Sequence, residues 1–236
     1  MTGEAIGAVL LAAGCASRYG APKQLIPVAG IPMARRAAQT AMQCTARTVV
    51  VTGAYRTEVE CCLGDLDVEL AFNGAWQRGM GGSIACGVER LLRLDPGTGA
   101  CLVMLADQPL VTVADLASLI DAHRHHRHRI IASGYGGGTR GAPCLFPRRN
   151  LEELLSLQGP GGARSVLRAH PDEVHSVANP HACIDIDTPD DSRQLPSDIA
   201  TGCTPSIDSA HHARRQPAMR SVTTPTTRGF GHRNRP

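Results

Sequence analysis

The chain has 236 residues, 42% of them apolar and 3% aromatic, which predicts one aliphatic core of about 190 residues. Its formal charge of +3 is uneven: residues 197–236 carry six Arg and two Asp, which leaves residues 1–196 near neutral. That body excludes a dedicated nucleic-acid surface, and no apolar run reaches the roughly 20 residues a membrane span needs.

Ile6–Ala12 is a continuous apolar run that stops at Ala13-Gly14, the pattern of a buried parallel strand. A loop rich in Gly, Ser and Pro follows to Pro32, and Met33–Cys44 reads as a helix. Thr48–Thr52 is predicted as a second strand, Arg56–Leu63 as a short helix and Val68–Phe72 as a third strand. A loop over Asn73–Gly82 leads to a helix over Ser83–Leu94, for which Ser83 is the expected N-cap. Cys101–Ala106 is the fourth strand, Val113–His126 an amphipathic helix and Arg129–Ser133 a fifth strand.

Gly134–Gly141 is too rich in glycine for regular structure. Cys144–Phe146, helices at Leu151–Leu157 and Ala163–Ala169, and strands near Val174–Val177 and Ala182–Ile186 complete the alternation. Such alternation predicts an α/β fold: a mostly parallel, doubly wound, Rossmann-like sheet with helices on both faces. Ligands of these sheets bind outside the carboxyl ends of the strands, which singles out segments 12–25, 73–83, 107–109 and 185–191. A folded domain over 1–196 and a disordered basic tail over 197–236 are expected, because the tail has few large apolar residues. An anchor for anionic partners is the other reading of that tail.

Nine cysteines with no C-x-x-C pair argue for free, mostly buried thiols in a reducing cytoplasm. Met1–Ile6 lacks the basic region and long apolar segment of a secretory leader. Only one of the 24 basic residues is a lysine, Lys23, and it falls in the loop after the first strand. A compact ammonium there does something a guanidinium fork does not. That loop begins Leu11-Ala12-Ala13-Gly14 and carries Arg18 and Lys23. Small residues leave peptide N–H groups uncovered, and two cations suit a polyphosphate. Neither a P-loop nor a dinucleotide fingerprint is present, and a solvated basic loop is the bland alternative.

The pattern L-A-A-G-x-S-x-R-x-G-x-P-K-x-L resembles the signature loop of the MobA-like nucleotidyltransferases, which join a nucleoside triphosphate to a phosphorylated acceptor. The resemblance implies that this loop wraps the triphosphate. Backbone N–H groups at Gly14 and its neighbours would bind it, with Arg18 and Lys23 as catalytic cations. Asn73-x-x-Trp76-x-x-Gly79-Met80-Gly81-Gly82-Ser83 is similar to the segment that the molybdopterin cytidylyltransferase branch places beside base and ribose. Gly79, Gly81, Gly82 and Ser83 are the expected nucleotide contacts there.

Asp107, at the end of the fourth strand, and the run Asp185-Ile186-Asp187-Thr188-Pro189 supply carboxylates at the expected crevice. Asp107 alone also fits a turn or a helix cap. The resemblance makes Asp107 and Asp187 the ligands of one Mg²⁺, and Asp107 catalytic besides. Asp185 stays a weaker candidate, for the acceptor. Segments 141–147 and 159–165 resemble the parts of the cytidylyltransferase branch that border its pterin acceptor, which makes Gly141, Pro143 and Arg164 acceptor contacts. Pro160 stands where an Asp is usual, and Arg164 alone is equally a surface residue. LAAG in place of the guanylyl-transferring LAGG favours a pyrimidine by size, since the Ala13 methyl narrows the space near the base.

The implied function is a Mg²⁺-dependent CTP:molybdopterin cytidylyltransferase of the cytoplasm that serves a client molybdoenzyme and has no nucleic-acid or membrane partner. A nucleotidyltransferase for a sugar or alcohol phosphate, and a non-catalytic cofactor carrier, are the alternatives. The His123, His125, His126 and His128 run reads as the cationic end of a helix.

Overall fold

Ile6–Leu11 is β1, the third strand of a seven-stranded sheet, and its neighbours on both sides run parallel to it. The computed structural model describes residues 4–15 and 22–184, all of which belong to one unit. After β1 come a two-residue hairpin, β2 (Pro27–Val28) and β3 (Ile31–Pro32), then α1 (Met33–Met42), β4 (Arg47–Thr52) and α2 (Arg56–Leu63). β5 (Glu69–Phe72), α3 (Met80–Leu94), β6 (Ala100–Leu105) and α4 (Val113–His125) follow. The chain then makes β7 (Ile130–Gly134), β8 (Arg140–Pro147), α5 (Leu151–Leu155), α6 (Gly162–Ala169) and β9 (Val174–Ala178).

The order across the sheet is β5-β4-β1-β6-β8-β7-β9. Chain direction reverses sides at β1, whose successors lie toward β4 and whose later neighbour is β6. Such a switch point opens a crevice at the carboxyl ends of the strands. Period-two alternation divides the apolar strand residues between two cores. Ala8, Leu10 and Ala12 of the first segment face α1, α2 and α4; Val9, Leu11 and Ala13 face α3, α5 and α6. Alanines fill much of the α1 interface, so helix and sheet approach closely with little aromatic volume.

α3 lies close over β1 and β4 because Gly87 has no side chain. A Cβ there would stand 2.4 Å from Val9 Cγ1 and 2.7 Å from Val51 Cγ2. Both are β-branched residues in central strands, so neither yields easily. This contact holds the N-terminus of α3 over the crevice.

The sheet is mostly parallel, as expected, with β8 alone among its described strands running antiparallel to its neighbours β6 and β7. Three sequence expectations change. The glycine-rich segment is a β7–β8 hairpin, in which Gly136, Gly137 and Gly138 take positive φ and Tyr135 N donates to Thr139 O. α3 begins at Met80 with Gly79 as its N-cap, so Ser83 lies inside the first turn. The expected strand at 182–186 begins instead as a short 3-10 turn, Pro180–Cys183, closed by Asn179 Oδ1 accepting from Ala182 N.

The cysteines are free in the eight described cases, but only Cys101 and Cys144 are buried; Cys61 and Cys183 are exposed. Of the histidine run, His123 is buried and the others are exposed. No helix among the described residues is long and apolar enough to cross a membrane. The expected tail at 197–236 lies outside the described residues, as does the last part of the 1–196 domain.

Two outcomes follow from this packing. Gly87→Ala gains about 1 kcal/mol of helix propensity but overpacks two stiff valines at a cost of about 1–3 kcal/mol. The net loss is expected to lower the melting temperature by about 2–6 °C, read by circular dichroism; a rise would contradict the close α3 contact. Burial pushes the Cys101 and Cys144 thiols up to about 12. A neutral alkylating reagent on native protein at pH 8 should therefore label Cys61 and Cys183 and spare these two, as read by peptide mass spectrometry.

Candidate active site

β1 and β6 end level, with Leu11 paired to Leu105, and the chain continues in step as Ala106 N donates to Leu11 O. On the other side Ala12 N donates to Val51 O of β4. The loops that leave these ends border a cavity of about 460 Å³. Leu11, Ala13, Gly14, Cys15, Lys23 and Gln24 line it from the first loop. Trp76, Gly79, Met80 and Ser83 line it from the second, and Leu105, Ala106 and Asp107 from the end of β6.

Lys23 sits at the start of a single 3-10 turn, Lys23–Leu25, set by Pro22, whose carbonyl accepts from Leu25 N. The turn points Lys23 back across the crevice. Its Nζ donates to Asp107 Oδ2 at 2.6 Å, closing 84 residues of sequence. Both side chains are mostly withdrawn from solvent, at 15% and 21% exposure, so the pair is screened less than a surface bridge. Asp107 Oδ1 is buried and has no hydrogen-bond partner among the described residues. An orphaned carboxylate oxygen is costly unless something binds it.

A hard oxygen at the mouth of a cavity of this size fits a divalent cation such as Mg²⁺. That ion takes one or two carboxylates and completes its shell with water and phosphate. Among the described residues no cluster of three or more His, Cys, Asp or Glu is placed to hold a metal. Asp107 by itself offers one ligand of an open site. Asp185 and Asp187, the other carboxylates of the sequence reading, lie outside the described residues, as does Arg18.

The glycine segment divides its work. Gly79 takes φ +116 and lies against the backbone of Gly159 and Pro160, where a Cβ would stand 2.5 Å from Gly159. Gly81 packs on Gln158, and its N–H donates to Gly159 O at 2.9 Å, so that donor is already used within the protein. Gly79 and Ser83 line the cavity, whereas Gly81 and Gly82 are outside its lining. Asn73 orders this turn: its Oδ1 accepts from Ala75 N and its Nδ2 donates to Ser83 Oγ at 3.0 Å. Ala12 is buried behind the lining residues.

Of the four acceptor candidates, the three among the described residues lie elsewhere. Gly141 and Pro143 belong to β8, where Gly141 packs under the Tyr135 ring and Pro143 O accepts from Ser133 Oγ. Neither lines the cavity. Arg164 borders a separate cavity of about 430 Å³ with Thr139, Arg140 and Arg168. Burial holds the nearby Cys144 thiol neutral, and its Sγ donates to Gly141 O, which makes it a core group rather than a thiolate ligand.

Sequence reasoning missed two buried amides. Gln24 Nε2 donates to the carbonyls of Ala12 (3.3 Å) and Gly14 (2.5 Å). Gln108 Nε2 donates to Ala142 O and Ala182 O, tying the end of β6 to β8 and to the turn before segment 185–191. Adjacency to Lys23 and Asp107 was the one available signal, and it distinguishes neither residue from an ordinary surface glutamine.

Comparison with known proteins places this geometry. A family model described as the MobA-like NTP transferase domain matches residues 8–174. The chain is 33% identical over 130 residues to the bifunctional protein GlmU of Geotalea uraniireducens, covering 53% of this chain. It spans only 27% of that protein's length. It is 30% identical over 172 residues to the nicotine blue oxidoreductase of Paenarthrobacter nicotinovorans, covering 69% of this chain and 81% of that one. Among solved structures it resembles Rv0371c of Mycobacterium tuberculosis H37Rv at 28% identity and a TM-score of 0.70, covering 83% and 98% of the two chains. A manganese complex of Rv0371c matches at 26% identity with a TM-score of 0.66, covering 81% and 97%. With the family model over most of the sheet, the chain belongs to the MobA-like NTP transferase family.

Proposed function

We propose that the chain is a Mg²⁺-dependent cytidylyltransferase that transfers CMP from CTP to the phosphate of molybdopterin or its molybdenum form, releasing pyrophosphate. The observation that carries the reading is the Lys23–Asp107 pair at the rim of a cavity lined by small residues of the first loop. In this reading the peptide N–H groups of Ala13 and Gly14 bind the nucleotide's phosphates, with Leu11, Ala12 and Arg18 completing the loop. The Lys23 ammonium leaves Asp107 for the α-phosphate and the oxygen that attacks it, stabilising charge where it develops. Asp107, freed on both oxygens, and Asp187 hold Mg²⁺. Bound there, the ion neutralises and orients the phosphates. The manganese complex of Rv0371c supports a divalent-metal site in this fold.

An oxygen of the acceptor phosphate forms the new bond to the α-phosphorus as the bond to the β-phosphate oxygen breaks. That oxygen is already anionic, so positioning and charge neutralisation suffice without a strong general base. Ala13 in the lining supports a pyrimidine by size, with Gly79 and Ser83 beside base and ribose and Trp76 able to cover a ring face. Gly81 and Gly82 shape that wall from behind. Gly141, Pro143, Arg164 and Asp185 are the proposed acceptor side, on the resemblance of their segments and not on any shared wall with this cavity. A client molybdoenzyme would receive the product.

Purified protein supplied with CTP, Mg²⁺ and molybdenum cofactor should release pyrophosphate and form the cytosine dinucleotide cofactor, read by chromatography. Consumption of GTP alone would overturn the base, and turnover with a sugar or alcohol phosphate alone would overturn the acceptor. Pyrophosphate is also the readout that separates nucleotidyl transfer from the redox chemistry for which one relative is named.

Lys23→Met and Asp107→Asn should each lower kcat about 10²–10³-fold, the usual loss when one pre-placed charge is removed. Lys23→Arg should also lose activity, because a planar fork does not replace a compact ammonium. Full activity in Lys23→Arg would contradict the role given to that residue. A carrier would instead deliver cofactor as well with Asp107→Asn as without it.

A further inference from the structure

The cavity's first loop carries an arrangement of carbonyls that the nucleotide reading alone does not explain. Four consecutive carbonyls, those of residues 12–15, are occupied by donors farther along the chain. Gln24 Nε2 donates to Ala12 O at 3.3 Å and to Gly14 O at 2.5 Å. Ala54 N donates to Ala13 O at 3.2 Å, and Tyr55 Oη donates to Cys15 O at 3.1 Å. In a planar trans peptide the carbonyl and the following N–H point in opposite directions. With the carbonyls of Ala12, Ala13 and Gly14 held by these donors, the N–H groups of Ala13, Gly14 and Cys15 are turned away from them. None of those three N–H groups is bonded to an acceptor among the described residues. All three residues line the cavity.

The supports are built for this task. Gln24 is 2% exposed, and its Oε1 is buried with no partner among the described residues. A side chain whose donors reach two carbonyls while its acceptor goes unmet is held there for its NH₂ end. Gly53 lets the end of β4 reach the loop, since a Cβ there would stand 2.5 Å from Ala13 O. Carbonyl oxygens facing a triphosphate would repel it; the same peptides reversed present their positive ends.

We propose that Gln24 and Tyr55 are positioning residues that hold the N–H groups of Ala13, Gly14 and Cys15 toward the nucleotide's phosphates by occupying the loop's carbonyls. The inference rests on the reading of this cavity as the nucleoside triphosphate site. The clamp acts on phosphates in the ground state and the transition state alike, so its loss weakens binding uniformly and leaves the chemical step alone.

The test compares wild type with Gln24→Met and Tyr55→Phe, the second of which removes one hydroxyl and little volume. Calorimetric titration with CTP, inorganic tripolyphosphate and cytidine, each with Mg²⁺, is followed by KM and kcat for CTP. Tyr55→Phe should bind CTP and tripolyphosphate about five- to tenfold more weakly, as expected for one lost hydrogen bond, Gln24→Met, which loses two, at least as much more weakly, and both should bind cytidine unchanged. KM for CTP should rise by the same factor while kcat holds within about twofold. Unchanged tripolyphosphate affinity in both variants would overturn the clamp. So would an equal loss for cytidine, or a fall in kcat at constant KM, either of which marks general damage to the fold. Wild type that binds neither CTP nor tripolyphosphate would overturn the nucleotide reading itself, and the clamp with it.

Discussion

A polyphosphate site in this fold requires the loop after β1 to bring positive charge back to the carboxyl end of β6, 84 residues later in the chain. The Lys23–Asp107 contact at 2.6 Å is that requirement met. The remaining features serve it. β1 and β6 end level because their register is unbroken from Ile6–Ala100 to Leu11–Leu105. α3 comes close enough to wall the crevice because Gly87 admits Val9 and Val51. The glycines at 79 and 81 let the start of α3 rest on backbone at 158–160. Removing any of these would leave Lys23 and Asp107 in place in the sequence but would alter the space between them.

The pair also explains how a charged site stays folded before substrate arrives. An ammonium and a carboxylate partly withdrawn from water cost desolvation, and their mutual hydrogen bond offsets it. Binding then becomes an exchange of partners: phosphate for Lys23, and a divalent ion for Asp107, one of whose oxygens is already buried without a protein donor. The loop's four occupied carbonyls belong to the same logic, because they settle the direction of the peptide dipoles before any ligand is present.

Much of the fold was legible because its segments are locally consistent. The apolar run Ile6–Ala12, the β-branched run Thr48–Thr52 and the helix over Val113–His126 carry strong signals, and their bounds agree within a residue or two. Direction was not legible at β8: Cys144–Phe146 are three apolar residues between Gly- and Pro-rich stretches, and nothing local says the strand runs backward. The start of α3 was misplaced because glycine is a poor helix former. There the packing of Gly79 and Gly81 on the 158–160 backbone outweighs propensity. At the site, the single lysine and the strand-end Asp were visible, but their pairing has no local signal. Gln24 and Gln108 were invisible, since burial decides their roles and the sequence does not show it.

The most direct test of the central claim follows the phosphorus atoms. CTP labelled at the α-phosphorus, incubated with Mg²⁺ and the molybdenum cofactor, should place its label in the dinucleotide product. CTP labelled at the γ-phosphorus should place its label in pyrophosphate alone. Label from the γ-position on the acceptor, or no transfer from the α-position at all, would contradict nucleotidyl transfer at the Lys23–Asp107 site.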